Sequence, residues 1–303
     1  MPLQPPQTAL SLLPSSSCFL PQRIKTGVPE LDDYVLLGGL DKGSVVGLSC
    51  EDEEVGLLIA LQTLTTYLLS DNNSSKTSSK GLLIINSQPI QPVLSTLRKC
   101  IINALSSGGG GGGGSGLQAQ TKACLKRVGI SRVFDSKGLE EVLDESESDL
   151  EVGMVVITGL GGLLLNGNIM ESKEVLEGKL KKRKQKKKKR LILLLNTVKE
   201  TRKMMMMMGN DEVDGGLNSL FDSGQEGRVK RAGYGKVFAG LVDLHLMGSK
   251  VAVDKEREER EKVWVMEVLF DEVGVYDLEK RERRDREGRW AVFGVDRGGA
   301  SVR

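Results

Sequence analysis

Hydrophobic positions along the chain fall into compact runs separated by polar, charged or glycine-rich stretches. Residues 44–49 (SVVGLS) are apolar, β-branched and preceded by a glycine, the pattern of a buried strand. Residues 55–70 carry apolar side chains through several turns without a proline and predict a helix lying against a sheet. The buried-strand pattern returns at 81–86 (GLLIIN), 152–158 (VGMVVIT) and 191–196 (LILLLN), and a shorter strand is expected at 132–134. Helices are expected over 92–105, 117–128, 138–143 and 171–190. Further on, 240–247, 263–270 and 290–295 read as antiparallel strands separated by the charged blocks 254–262 and 277–289. Buried strands that alternate with helices, followed by a run of strands, predict an α/β domain whose parallel part is covered on both faces.

Low-complexity segments punctuate this pattern. Residues 1–22 hold five prolines and a serine run and read as a loose arm ahead of a core over 23–303. Insertions are expected near 71–80, 106–116, 179–190 and 199–232. The second contains a glycine run that costs much to order; the last contains five consecutive methionines and reads as a mobile loop.

Composition narrows the chemistry. The chain has 303 residues, enough for one large domain or two small ones. Its only histidine is His245, so a multi-histidine metal site and a conventional Ser-His-Asp triad elsewhere are excluded, and the position within an apolar strand points to a structural role. The cysteines Cys18, Cys50, Cys100 and Cys124 lie far apart, form no C-x₂-C pair and read as reduced thiols. Aromatics make up 4%, too few for a single-strand binder built on many stacking platforms. The apolar run 154–165 is too short to span a bilayer, and the N-terminus lacks the basic start of a signal peptide, so no membrane partner is expected. Gly159-Leu160-Gly161-Gly162 follows a strand, but Leu164 occupies the place of the third glycine of a dinucleotide fingerprint.

Two strings are more specific. Thr26-Gly27-Val28-Pro29-Glu30-Leu31-Asp32-Asp33 is followed by Leu37-Gly38-Gly39-Leu40-Asp41-Lys42-Gly43-Ser44. They resemble the T-G-x-x-x-L-D and G-G-L-x-x-G strings that precede the first core strand in the RecA family, which includes the eukaryotic strand-exchange recombinases and their paralogues. Residues 125–143, 191–196 and 234–246 resemble later parts of that core in the right order, so that the likeness covers about 23–297. It implies a RecA-like, mostly parallel sheet flanked by helices, with a C-terminal antiparallel β-meander.

In that family the first strand runs into a phosphate loop, G-x-x-x-x-G-K-[ST], whose backbone N–H groups, lysine and hydroxyl hold a nucleotide and Mg²⁺. The corresponding stretch here is Cys50, Glu51, Asp52, Glu53, Glu54, Val55, Gly56 and Leu57. Cys50 and Val55 replace the motif glycines, Gly56 stands at the lysine, Leu57 at the hydroxyl, and four consecutive carboxylates fill the middle. A carboxylate about 6 Å from a phosphate charge repels it by roughly 2–3 kcal/mol at an effective dielectric near 20. Thr158 stands where the central strand should end in aspartate, and Gln88 is nearest to the expected catalytic glutamate; an amide is no general base. The resemblance therefore implies a core without ATPase chemistry and without cofactor. The carboxylates also read more simply, as a solvated helix start where negative charge suits the helix dipole.

Positive charge concentrates in 179–190, with ten basic residues in twelve, among them Lys181, Lys182, Arg183, Lys184, Lys186, Lys187, Lys188, Lys189 and Arg190. Such a run reads as a nuclear import signal, a phosphate-backbone contact or an incidental expansion. In the recombinases the loop after the Asn-ended strand meets DNA; here that loop carries Lys199, Arg202, Lys203, Arg228, Lys230 and Arg231. The mixed-sign blocks 256–260 and 279–286 read as solvated hairpin tips. These features yield one expectation: a nuclear, non-catalytic recombinase paralogue, working as a hetero-oligomer with recombinase or paralogue subunits and in contact with single-stranded DNA. The Elongator accessory subunits, RecA-like proteins without the phosphate loop that serve tRNA modification, are the alternative.

Overall fold

The structure, a computed structural model, describes residues 23–70, 80–86, 88–107, 114–149, 151–160, 178, 190–202, 228–232, 238–251, 262–277 and 282–295. Its centre is a sheet of eight strands in one row with a ninth attached. In chain order the elements begin with β1 (Arg23–Ile24), a π-turn (Leu31–Val35), β2 (Leu40–Asp41), β3 (Val45–Cys50) and α1 (Glu53–Ser70). There follow β4 (Lys80–Ile85), α2 (Ile90–Ser107), α3 (Gly114–Leu125), β5 (Val128–Arg132), α4 (Ser136–Ser148), β6 (Val152–Ile157) and β7 (Leu191–Arg202). Last come β8 (Arg228–Ala232), β9 (Leu244–Lys250), β10 (Lys262–Asp271), β11 (Val275–Asp277), β12 (Glu282–Arg284) and β13 (Trp290–Val295). The row runs β13-β10-β9-β3-β7-β6-β4-β5, parallel from β9 to β5 and antiparallel from β9 to β13.

This is an α/β fold with helices on both faces. On one face α1, α2 and α3 bury Leu58, Leu61, Leu64, Leu97, Ile101 and Cys124 against Val46, Leu48, Leu83 and Val156. On the other, Leu139 and Leu143 of α4 and the turn at Phe238, Leu241 and Val242 cover Val45, Ile84, Val155 and Leu194. Each such side chain contributes about 1.5–3 kcal/mol by leaving water. α1 is apolar around most of its surface, as a helix wedged between sheet and α2 must be, whereas α2 buries only the stripe Val93, Leu97, Cys100 and Ile101.

The string Thr26-Gly27-Val28-Pro29-Glu30-Leu31-Asp32 has a physical cause. Asp32 Oδ1 accepts from Thr26 N at 2.8 Å and Thr26 Oγ1 at 3.0 Å, and its Oδ2 accepts from Gly27 N at 3.2 Å. Burial pushes the Asp32 carboxyl above its ordinary range, against these bonds that lower it. Gly27 has φ +84°, and a Cβ there would meet Thr66 Oγ1 at 2.8 Å; Gly39, at φ +114°, passes equally close to the Ile24 carbonyl. Leu31 is buried in the core. The motif is thus a self-closed turn that seats the chain on α1 before β3 begins.

Several boundaries depart from the sequence expectations. The edge strand is 128–132, not 132–134: Val128 and Ile130 turn toward the core, while Phe134 is exposed beyond it. The expected strand over 240–247 starts only at Leu244, because Phe238, Leu241 and Val242 form a turn that packs on the second face. β9 is antiparallel to β10, which is antiparallel to β13, so the expected antiparallel C-terminal strands are present; β9 also runs parallel to β3 and joins them to the parallel part. The ends of the expected mobile loop are paired: β7 continues to Arg202 and meets β8 in an antiparallel ribbon. The block 279–286 is not wholly solvated, since Arg286 is buried. The expected helix over 171–190 lies outside the described residues except for Gly178, which is helical, and Arg190, which directly precedes β7. The arm 1–22 and the segments 71–79, 108–113 and 203–227 lie outside them too.

Candidate functional site

The carboxyl end of β3 is where the first core strand meets the first core helix. β3 ends at Cys50 and α1 begins at Glu53, so Glu51 and Asp52 alone make the connection. Asp52 caps the helix: its Oδ1 accepts from Glu54 N at 2.9 Å, and its carbonyl accepts from Val55 N at 3.2 Å and Gly56 N at 3.3 Å. Glu51 N donates to the Gly248 carbonyl at 3.1 Å, and Glu51 Oε2 accepts from Lys250 N at 2.8 Å, tying the turn to β9. The N–H groups of Glu51, Glu54, Val55 and Gly56 are all engaged within the protein. A phosphate cradle needs such groups turned toward the ligand.

Cys50 explains the glycine at position 56. Its thiol is fully buried between two glycines: a Cβ at Gly56 would stand 3.3 Å from Cys50 Sγ and one at Gly248 would stand 2.8 Å from it. Burial, reinforced by Asp52 and Glu51 and opposed by the Gly248 backbone, pushes the thiol up to about 12. It is therefore a packing residue, as are Cys100 and Cys124, both buried free thiols, while Cys18 lies outside the described residues. Val55 and Leu57 are buried in the same core. Glu53 and Glu54 are exposed at the first turn of α1, where negative charge suits the helix dipole.

The other expected positions converge only in part. Gln88 Nε2 donates to Glu53 Oε2 at 3.5 Å, which brings the segment after β4 to the start of α1. Thr158 follows β6, separated from β3 by β7. It is buried, and its N–H and hydroxyl both point to the Ile84 carbonyl, at 2.9 and 3.5 Å. Asn86 closes the same end by donating to the Gly159 carbonyl at 3.0 Å. Three or more metal-ligating side chains do not gather anywhere among the described residues.

The basic candidates separate. Arg190 is buried, and its Nη1 and Nη2 donate to the carbonyls of Ser146 at 2.7 Å and Asp149 at 2.5 Å, so it locks the end of α4 rather than facing solvent. Lys181, Lys182, Arg183, Lys184, Lys186, Lys187, Lys188, Lys189 and Lys203 lie outside the described residues. Lys199, Arg202, Arg228, Lys230 and Arg231 sit on the β7–β8 ribbon, where the register sets Lys199 opposite Arg231 and Arg202 opposite Arg228.

Two polar arrangements were not anticipated. Ser49 Oγ and His245 Nε2 lie 2.9 Å apart on the face away from α1, with Phe238 edge-on to the imidazole at 4.9 Å. Both residues are fully buried, and burial brings His245 down to about 3, so the ring is neutral. Arg286 binds Asp271 through Nε at 2.6 Å and Nη2 at 2.9 Å, and approaches Asp41 at 3.7 Å. Asp41 is also paired with Arg23 at 3.0 Å. Only the apolar alternation around His245 signalled a buried ring; the ion-pair partners lie too far apart in sequence to be matched by spacing.

No protein-family model matches the chain, and no curated protein matches it. No helix among the described residues is long and apolar enough to cross a membrane.

Proposed function

We propose that the chain is a non-catalytic, RecA-like accessory subunit that assists a strand-exchange recombinase in recombinational DNA repair. The observation that carries the non-catalytic part is the closed turn at 50–57. The N–H groups of Glu51, Glu54, Val55 and Gly56 are spent on Gly248 and Asp52, Gly56 is packed on a buried thiol, and four consecutive carboxylates crowd the turn. Thr158 and Gln88 add a hydroxyl and an amide where a metal-supporting carboxylate and a base belong. The RecA-like part is supported by the opening turn at 26–32, the central placement of β3, and the β9–β10–β13 extension in the expected chain order.

In this reading the ribbon carrying Lys199, Arg202, Arg228, Lys230 and Arg231 and the run 181–189 supply sequence-independent contact with single-stranded DNA, and the run also directs nuclear import. The partners are recombinase or paralogue subunits in a hetero-oligomer. The four carboxylates directly after the first strand favour one rival, an Elongator-type accessory subunit. Affinity purification of the tagged chain from cells separates the two: recovery of recombinase subunits supports the proposal, and recovery of Elongator subunits replaces it. Calorimetry with ATP and Mg²⁺ tests the chemistry, with no heat of binding expected; micromolar binding overturns the non-catalytic reading.

A further inference from the structure

The segment that leaves β5 exposes an aromatic ring. Val133 is buried and its N–H donates to the Ile85 carbonyl at 3.0 Å, so the chain stays paired with β4 one residue past the end of β5. In an extended chain alternate side chains leave on the same side. Arg132 and Phe134 therefore stand together, with the guanidinium 5.1 Å from the ring centre. Arg132 is exposed and Phe134 is 65% exposed. The residues that follow are polar: Asp135 caps α4 by accepting from Gly138 N at 2.7 Å, and Lys137 is exposed in the first turn of that helix. A ring flanked by charge in this way differs from the apolar centre of a protein contact. It has what a nucleobase stack needs, a π-face reinforced by a guanidinium.

The place of this pair in the sheet gives it a partner. β5, β4, β6 and β7 are parallel neighbours in that order, and the register sets Arg132 beside Ile85, Ile84 beside Ile157 and Ile157 beside Leu194. β5 therefore ends at the same border that β7 crosses, about 14 Å from it across three strand spacings. Beyond that border β7 pairs with β8 in the ribbon on which Lys199, Arg202, Arg228, Lys230 and Arg231 stand. We propose that Phe134, backed by Arg132, stacks on a base of the single strand whose phosphates the ribbon holds. This inference rests on the DNA contact proposed above and adds to it a contact with a base. The contact does not select the base, since every base has a π-face.

The test is fluorescence anisotropy of labelled oligothymidylate with the full chain, starting at about 50 mM salt, where phosphate contacts are strong. Phe134→Ala should weaken binding about five- to a hundredfold, the range expected for one lost stack, with an unchanged circular dichroism spectrum. The slope of affinity against salt should stay the same, because no phosphate contact is removed. A strand of abasic sugars should bind the native chain and Phe134→Ala alike. Phe134→Trp should keep the affinity, and its added indole should be quenched by oligothymidylate beyond the quenching seen in the native chain. The two failures differ. A native chain that binds neither strand overturns the DNA contact itself, and this inference with it. Native binding of oligothymidylate that Phe134→Ala leaves untouched, or a loss equally large on the abasic strand, overturns the stacking alone.

Discussion

Two turns rich in charge meet the same sheet and behave in opposite ways. At 51–54 four carboxylates join β3 to α1, and their partners are backbone N–H groups and one amide, with Glu53 and Glu54 in solvent. At 285–289, between β12 and β13, the guanidinium of Arg286 is buried against Asp271 and Asp41. In sequence both read as solvated charge. What separates them is whether the fold delivers an opposite charge: Asp271 and Asp41 arrive from the end of β10 and from β2, while among the described residues no cation is bonded to Glu53 or Glu54. A charge that finds such a partner becomes part of the core; one that does not remains at the surface, where helix capping is its main use.

The comparison can be broken most forcefully at Arg286. Arg286→Ala leaves the Asp271 carboxylate buried without its cation and should cost about 3–5 kcal/mol in urea unfolding. A loss below 1 kcal/mol would place the pair with ordinary surface charge. Acid sharpens the same point. Burial raises Asp271, but the hydrogen bonds and charge of Arg286, with the Gly274 N–H, outweigh it and hold the carboxyl below its usual range. Its contribution is complete above the unfolded value near 4 and is lost as pH falls through the lower folded value. The stability gap between the native chain and Asp271→Asn should therefore shrink as unfolding is repeated below about pH 4.

At the other turn, Gly56→Lys introduces a lysine in the first turn of α1. It also forces a Cβ to 3.3 Å from the buried Cys50 thiol. It should lower stability by about 1–3 kcal/mol, as overpacking does, and bring no ATP binding in calorimetry. Gain of nucleotide binding would mean the turn opens. Asp52→Ala removes the helix cap and should cost about 1 kcal/mol by the same unfolding measurement. The smallest effect is expected of Glu53→Gln with Glu54→Gln, within about 0.5 kcal/mol per site, because both side chains are exposed.

The parts of the fold legible in sequence are those whose signal is local. The apolar runs at β3, β4, β6 and β7 and the stripe of α2 were readable because burial demands them residue by residue. The β5 boundary was misplaced because an edge strand is half exposed and the helix expected over 117–128 was carried onto Val128, where β5 begins. At the candidate site, the four carboxylates and the apolar residues that flank them were readable in the sequence alone. The packing reason for Gly56 was not, since Gly56, Gly248 and Cys50 meet only when β9 lies beside β3. Arg190 read as part of a basic run because eight cations precede it within nine positions, yet it reaches the carbonyls that end α4.

The placement of β3 also bears on how the chain is made. Both neighbours of this central strand, β7 and β9, are synthesised long after it, and Asp243 bonds to Val45 N across 198 positions at 2.8 Å. During translation the apolar strand at 45–50 and the helix behind it must wait, uncovered on the ribosome, until about four fifths of the chain has emerged. Such remote pairing makes folding slow and leaves hydrophobic surface open to other chains meanwhile. A nascent chain stalled before residue 244 should accordingly remain protease-sensitive, bound by chaperones that release it once β9 is complete.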